Sequence, residues 1–316
     1  FDQWARLYAR KTSEYEESVG GNIKLKERFR YFVKAPELAK FYNDITHYSD
    51  FNTFKIDRPK AVTQFITIEP YSKQLDYFDS LGYKILIHDY RGHYHSTGKE
   101  SLDKITFEQI ANDIYNLLDH LNINSTVMLG HSMGVNICLE FAKMYPDFAK
   151  KLILISGTAM PVYNIMFDSN VVDQVQPLLK NLLKLYPKAF ETFWKYSGWN
   201  PIVRKIIHLG GFNFKEVSNE FIEIYLNKVG KLGPEIFFQL LDQMQKHHIL
   251  ANLDMIKIPV LIIGGDKDKV IPNYLQRMLA DTLEHSQLYV SRNGSHVPQV
   301  DFPFFINERI DIFLRA

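Results

Sequence analysis

The sequence predicts an α/β fold in which a mostly parallel sheet is covered by helices on both faces and carries an inserted helical cap. Three observations point there. Short apolar runs rich in β-branched residues recur at 61–68, 83–88, 127–129, 151–157 and 258–264, the pattern of strands buried on both sides. Segments with apolar residues at helical spacing alternate with the first four runs, as in βα units. Between Gly157 and Ile258 that rhythm stops for about a hundred residues of helical pattern, too long for an ordinary connection.

Taken in order, residues 1–18 read as a helix bearing Trp4, Leu7, Tyr8 and Tyr15, broken by Gly20-Gly21. Residues 1–60 are expected to form an N-terminal arm packing on the core. An amphipathic contact of 1–18 with a membrane surface or a partner is the second reading. The core is expected over 61–157 and 253–316, and the cap over 158–252. A short helix from Lys73 to Ser80 leads into the strand at 83–88. Thr106, with Gln109 three residues on, marks a capped helix start, followed by the stripe Ile110, Ile114, Leu117, Leu118 and Leu121. Cap helices are expected at 171–186, 189–196, 219–229 and 236–248. Of Leu178, Leu179, Leu182, Leu183, Phe190, Phe193, Trp194 and Trp199, most are expected to pack and the rest to line a greasy pocket.

Charge and composition exclude several classes. Thirty-seven basic side chains against 36 acidic ones, with no basic block, argue against a nucleic-acid partner. The single cysteine, Cys138, excludes an intrachain disulfide framework and reads as a buried structural thiol. No apolar run reaches the length of a membrane span. The chain starts at Phe1 rather than Met, leaving a removed leader open; the expected compartment is the cytoplasm. Oligomeric state is unspecified.

The chemistry gathers at three places. Gly130-His131-Ser132-Met133-Gly134 follows an apolar strand and opens a helix. This is the context of a G-x-S-x-G nucleophile elbow, in which a tight turn presents the serine hydroxyl at the sheet edge. After the strand at 258–264 comes Gly265-Asp266-Lys267-Asp268, with Pro272 beyond. After a short strand at 288–290 comes Asn293-Gly294-Ser295-His296. Elsewhere, His88, Asp89, His93 and His95 lack a recognised metal-hydrolase spacing, and no metal or cofactor is expected. The pair His247-His248 reads as a helix end making dipole and surface contacts.

With these motifs in place, residues 61–315 resemble the α/β-hydrolase superfamily, especially its capped lipase, esterase and lactonase-like members. The order Ser132, Asp268, His296 is the order that superfamily uses. The resemblance implies Ser132 as nucleophile, His296 as base, Asp268 rather than Asp266 as acid, and the Met133 N–H as an oxyanion donor. Two departures stand out. Most relatives end the first core strand in a His-Gly turn whose loop supplies the second oxyanion donor. Here Ile68 is followed by Glu69-Pro70-Tyr71-Ser72, and Pro70 has no N–H, so that donor is unassigned. Tyr94 replaces the second glycine of the pattern Asp-x-Arg-Gly-His-Gly-x-Ser, which suggests a changed loop conformation.

The function expected is cleavage of a small-molecule carboxylic ester with a substantial apolar part, through a Ser-His-Asp triad and an acyl-enzyme. Thioesterase, lactonase, carbon–carbon hydrolase and acyltransferase chemistries share that triad. A non-catalytic ligand-binding protein on the same fold is the alternative of another class.

Overall fold

Alternation along the central strands sorts the core into two layers. The computed structural model describes residues 60–64, 72–96, 101–162, 165–168, 171–196, 211–213 and 216–316. The chain divides into units 1–57 and 58–316, and all described residues belong to the second; the expected N-terminal arm lies outside them. Among the described residues six strands, β1 (Lys60–Gln64), β2 (Ile85–Ile87), β3 (Thr126–His131), β4 (Ala149–Ile155), β5 (Val260–Gly265) and β6 (Ser286–Ser291), form one sheet in the order β2-β1-β3-β4-β5-β6. Every pairing in it is parallel. The order reverses between β1 and β3, the switch point at which open α/β sheets place ligands beyond their carboxyl ends.

Because successive side chains on a strand point to opposite faces, Met128, Leu152, Leu154, Val260 and Ile262 face one layer. That layer holds α2 (Phe107–His120), α3 (Met133–Met144) and α8 (Asn273–Thr282). Val127, Leu129, Ile153, Ile155, Leu261 and Ile263 face the other, against α1 (Ser72–Ser80) and α10 (Pro303–Arg315). Phe107, Phe141, Ile114 and Leu118 are completely enclosed, each worth roughly 1.5–3 kcal/mol in apolar surface removed from water. Cys138 is buried as expected, and desolvation pushes its thiol well above the ordinary range.

Polar contacts fix where the elements end. Thr106 Oγ1 accepts from the Gln109 N–H at 3.2 Å and so satisfies a free donor of the first turn of α2. Lys151 Nζ, on β4, donates to the carbonyls of Phe313 and Leu314 at 2.9 and 3.1 Å, completing the last turn of α10. Arg91, in the loop after β2, forms a fork with Asp113 of α2, both bonds at 2.6 Å.

Among the described residues, four α-helices lie between β4 and β5: α4 (Val171–Leu185), α5 (Pro187–Tyr196), α6 (Asn219–Leu232) and α7 (Pro234–Lys246). Helix α7 joins the core through buried Leu240 and Met244, and Gln239 Nε2 donates to the Ile105 carbonyl at 3.2 Å. Helices α4 and α5 instead share a small cluster with α7, made of Leu183, Phe190 and Phe238 with Leu179 and Trp194 against it. Of the insertion residues named from the sequence, Leu179, Leu183, Phe190 and Trp194 pack as expected. Leu178, Leu182 and Phe193 are instead 63%, 46% and 52% exposed, outside the cluster that α4 and α5 share with α7. Trp199 lies outside the described residues.

His247 requires a second correction. Rather than making surface contacts at a helix end, its side chain is buried at the junction of α7 with α3. Asn136 Nδ2 donates to His247 Nδ1 at 2.8 Å and to the Thr158 carbonyl at 3.1 Å. His247 Nε2 in turn donates to Glu140 Oε1 at 2.8 Å, and Lys143 pairs with the other Glu140 oxygen. Burial alone would raise the Glu140 pKa, but the hydrogen bonds from His247 and Lys143 outweigh it and hold the carboxyl below its usual range. His248, by contrast, is exposed. Replacing His247 with Leu leaves a buried carboxylate short of a donor, so the variant is expected to lose about 2–4 kcal/mol of stability. Urea unfolding at pH 7 measures this, and an unchanged midpoint would contradict the anchoring role.

Candidate active site

The turn after β3 is tight enough to dictate its own sequence. Ser132 has φ 54° and ψ −119°, a conformation rarely tolerated outside glycine, and it persists because neighbouring bonds over-determine it. The Ser132 N–H donates to the Ile155 carbonyl at 2.8 Å, and the Val135 N–H donates to the Ser132 carbonyl at 3.0 Å. A Cβ on Gly130 would run into the Gly134 carbonyl and Cys138 Sγ, and one on Gly157 would run into Val135. The turn thus needs glycine at both positions. Helix α3 begins at Met133, so the Met133 N–H belongs to the first turn, where helical donors have no intrahelical acceptor.

Two further loops meet this turn. A Cβ on Gly265 would overlap the carbonyls of Gly294 and Ser295, and the Lys267 N–H donates to the Gly294 carbonyl at 2.8 Å. The loop after β5 therefore lies directly against the loop after β6. The Asp268 carboxylate is fully enclosed; its Oδ1 accepts from the N–H groups of Val270 and Ile271, both at 2.9 Å. His296 Nδ1 donates to Asp268 Oδ2 and Oδ1 at 3.0 and 3.1 Å, which leaves Nε2 as acceptor. Ser132 Oγ donates to that Nε2 at 2.9 Å. The structure thus brings together the three residues expected from the sequence. Asp266, the competing acid, instead sits beside Lys267, partly exposed.

Several residues that hold this arrangement were not singled out by the sequence. The His296 N–H donates to the Gly211 carbonyl at 3.0 Å, and Asn213 Nδ2 donates to the Asn293 carbonyl at 2.8 Å. Val297 packs with Phe221 and Ile222 of α6. The insertion therefore grips the loop that carries His296. On the core side, Asp301 closes the short helix α9 (Pro298–Asp301), and its Oδ2 accepts from the Ser295 N–H at 2.6 Å. Burial, together with the nearby Glu216 and Asp268 carboxylates, pushes the Asp301 pKa up to about 6. The only sequence signal for Asp301 is an acid set among Val300, Phe302 and Phe304, which does not name a partner.

The departures resolve unevenly. Residues 65–71, where the second oxyanion donor was sought, lie outside the described residues. Tyr94 has φ 38°, in the left-handed region that glycine favours. Its hydroxyl donates to the Lys228 carbonyl of α6 at 3.3 Å, and Lys228 Nζ lies 5.4 Å from its ring centre. The substituted tyrosine thus connects this loop to the insertion. His88 and His93 direct Nδ1 at the carbonyls of Asp89 and Arg91. Among the described residues no group of three or more His, Cys, Asp or Glu could hold a metal ion.

A serine held on a strained turn between a parallel strand and a helix, at the switch point of such a sheet, is the arrangement of the α/β hydrolases, and the chain is a member of that superfamily. Within it, the chain belongs to the hydrolase family described as serine aminopeptidase, S33, whose model matches residues 67–301. A second family model, described as a probable helicase domain, matches residues 1–50. Protein ABHD8 of Mus musculus is 24% identical over 248 residues, covering 77% of this chain and 52% of that protein. The chain thus spans about half the length of such curated relatives. The putative carbamate hydrolase RutD of Caulobacter sp. (strain K31) is 25% identical over 238 residues, 73% of this chain and 81% of that protein. The enol-lactonase from Burkholderia xenovorans LB400 superposes with a TM-score of 0.65 at 17% identity, over 82% of this chain and 92% of that one. At that identity the likeness speaks for the fold.

Asp301 carries a pH signature. Its folded pKa of about 6 lies above the roughly 3.9 of an unfolded aspartate. The folded state therefore holds the proton more tightly, and stability is lost as pH rises from about 4 through 6. Asp301→Asn removes that titration. Its unfolding free energy relative to wild type is expected to climb between pH 4 and 7, by at most about 3 kcal/mol. Urea titrations across this range supply the measurement; a pH-independent difference would show that Asp301 does not titrate this way.

Proposed function

We propose that the protein is a serine hydrolase that cleaves a carboxylic ester with a substantial apolar part through an acyl-enzyme. The observation that carries the reading is the continuous chain of hydrogen bonds from Ser132 Oγ to His296 Nε2, and from His296 Nδ1 to Asp268. As Ser132 Oγ attacks the ester carbonyl, its proton passes to His296 Nε2. Asp268 keeps the imidazole in the Nδ1–H tautomer and stabilises the cation that forms. The carbonyl oxygen becomes an oxyanion, for which the Met133 N–H is one donor; such a donor contributes about 3 kcal/mol to the transition state. Collapse of the tetrahedral adduct expels the alcohol, which takes the proton from His296. Water then repeats the sequence on the acyl-enzyme and releases the acid.

The relative described as a putative carbamate hydrolase supports carbonyl chemistry at such a site. The apolar preference rests on the apolar and aromatic composition of residues 158–252. The family description also names an aminopeptidase, and the same three residues cleave amides by the same steps.

A fluorophosphonate probe is expected to label the folded wild type and not Ser132→Ala; a folded wild type that stays unlabelled would remove the reading. Asp268→Asn is expected to lower kcat by about 10³–10⁴-fold with the fold intact, because the imidazole loses its orienting acceptor. A panel of p-nitrophenyl esters of graded chain length, run beside aminoacyl p-nitroanilides, is expected to favour the longer esters. Faster turnover of the anilides would move the assignment to peptidase.

A further inference from the structure

Beyond the three reacting residues, one side chain ties the base directly to the nucleophile's own turn. His131 is the last residue of β3 and immediately precedes Ser132. Its Nε2 lies 2.7 Å from the backbone carbonyl oxygen of His296, and the two rings are 5.0 Å apart, tilted by 52°. A carbonyl oxygen only accepts, so the His131 ring carries its proton on Nε2 and donates it. Desolvation, with the neighbouring His296, holds the His131 pKa down to about 3, so the ring stays neutral across the working range of a hydrolase.

Ser295 and His296 themselves are held through their backbone by three separate segments. The insertion takes the His296 N–H through the Gly211 carbonyl, and the helical turn after it takes the Ser295 N–H through Asp301. His131 takes the His296 carbonyl. Only the last bond originates one residue from the nucleophile, on a backbone already locked by the Ser132 N–H to Ile155 bond. Residue 131 therefore measures the gap between Ser132 Oγ and His296 Nε2 from a fixed point.

We propose that His131 is a positioning residue: its Nε2–H, bonded to the His296 carbonyl, holds the base at hydrogen-bonding distance from Ser132. The proposal rests on Ser132 acting as the nucleophile. The reason to expect a large effect is geometric, since a displacement of about 1 Å between reacting groups can cost about 10²-fold in rate.

The test compares His131→Leu, which removes the donor at similar volume, with His131→Gln, whose side-chain amide can still donate, and His131→Asn, which is too short to reach. On a p-nitrophenyl ester, kcat of the Leu and Asn variants is expected to fall about 10–100-fold. KM should stay within about threefold, and the Gln variant should recover most of kcat. Fluorophosphonate labelling rates should follow the same order. If the Leu variant does not fold, the Gln and Asn pair carries the comparison, because both are polar and differ only in reach. Equal losses in all folded variants, or a loss seen in KM alone, would overturn the proposal while labelling of the wild type left the nucleophile assignment standing. A folded wild type that does not label overturns both.

Discussion

The strained backbone at Ser132 is the constraint on which the rest of the structure depends. A residue with φ 54° and a side chain is held only where surrounding bonds outweigh the strain, and here they come from the sheet itself. The Ile155 carbonyl, at the end of β4, takes the Ser132 N–H. Gly130 and Gly157 leave the space through which α3 passes close to β3 and β4. The central strands are therefore both the apolar core and the jig for the turn.

Around that turn, polar groups are used for location more than for stability. Asp268 is fixed by two backbone N–H groups before it meets His296. The loop of His296 is held by the core through His131 and Asp301 and by the insertion through Gly211, Asn213 and α6. Tyr94 adds a further link from the loop after β2 to α6. The insertion is thus more than an addition between β4 and β5, because part of the geometry of the candidate base belongs to it. The buried group of His247, Glu140 and Asn136 anchors it again, to the helix that starts at the nucleophile turn.

Much of this was legible in the chain. The run from Val127 to Leu129 announced a strand buried on both sides, and the glycine-bracketed serine announced the turn, because each is a local demand of backbone geometry on sequence. Thr106 declared a helix start for the same reason. Which of the apolar insertion residues pack was not legible where amphipathicity was ambiguous. Leu178, Leu182 and Leu183 are all apolar at neighbouring positions of α4, yet Leu183 is buried and the other two are not, since only the neighbouring helices decide which face is covered. His247 was misread because its partners, Glu140 and Asn136, lie more than a hundred residues earlier in a helix whose orientation no local pattern reveals.

By itself the sequence determined the α/β alternation, the tight turn at Ser132 and the order of Ser132, Asp268 and His296, since each depends on neighbouring residues or on a short motif. Tertiary structure brought Asp268 onto the imidazole, as the motif implied, and left Asp266 beside Lys267. It also decided that His131 donates to the carbonyl of His296 and that the insertion holds the base loop. Those outcomes depend on distances between segments far apart in the chain. Such distances are set by how the two layers and the insertion pack on the sheet, and no single stretch of sequence encodes them.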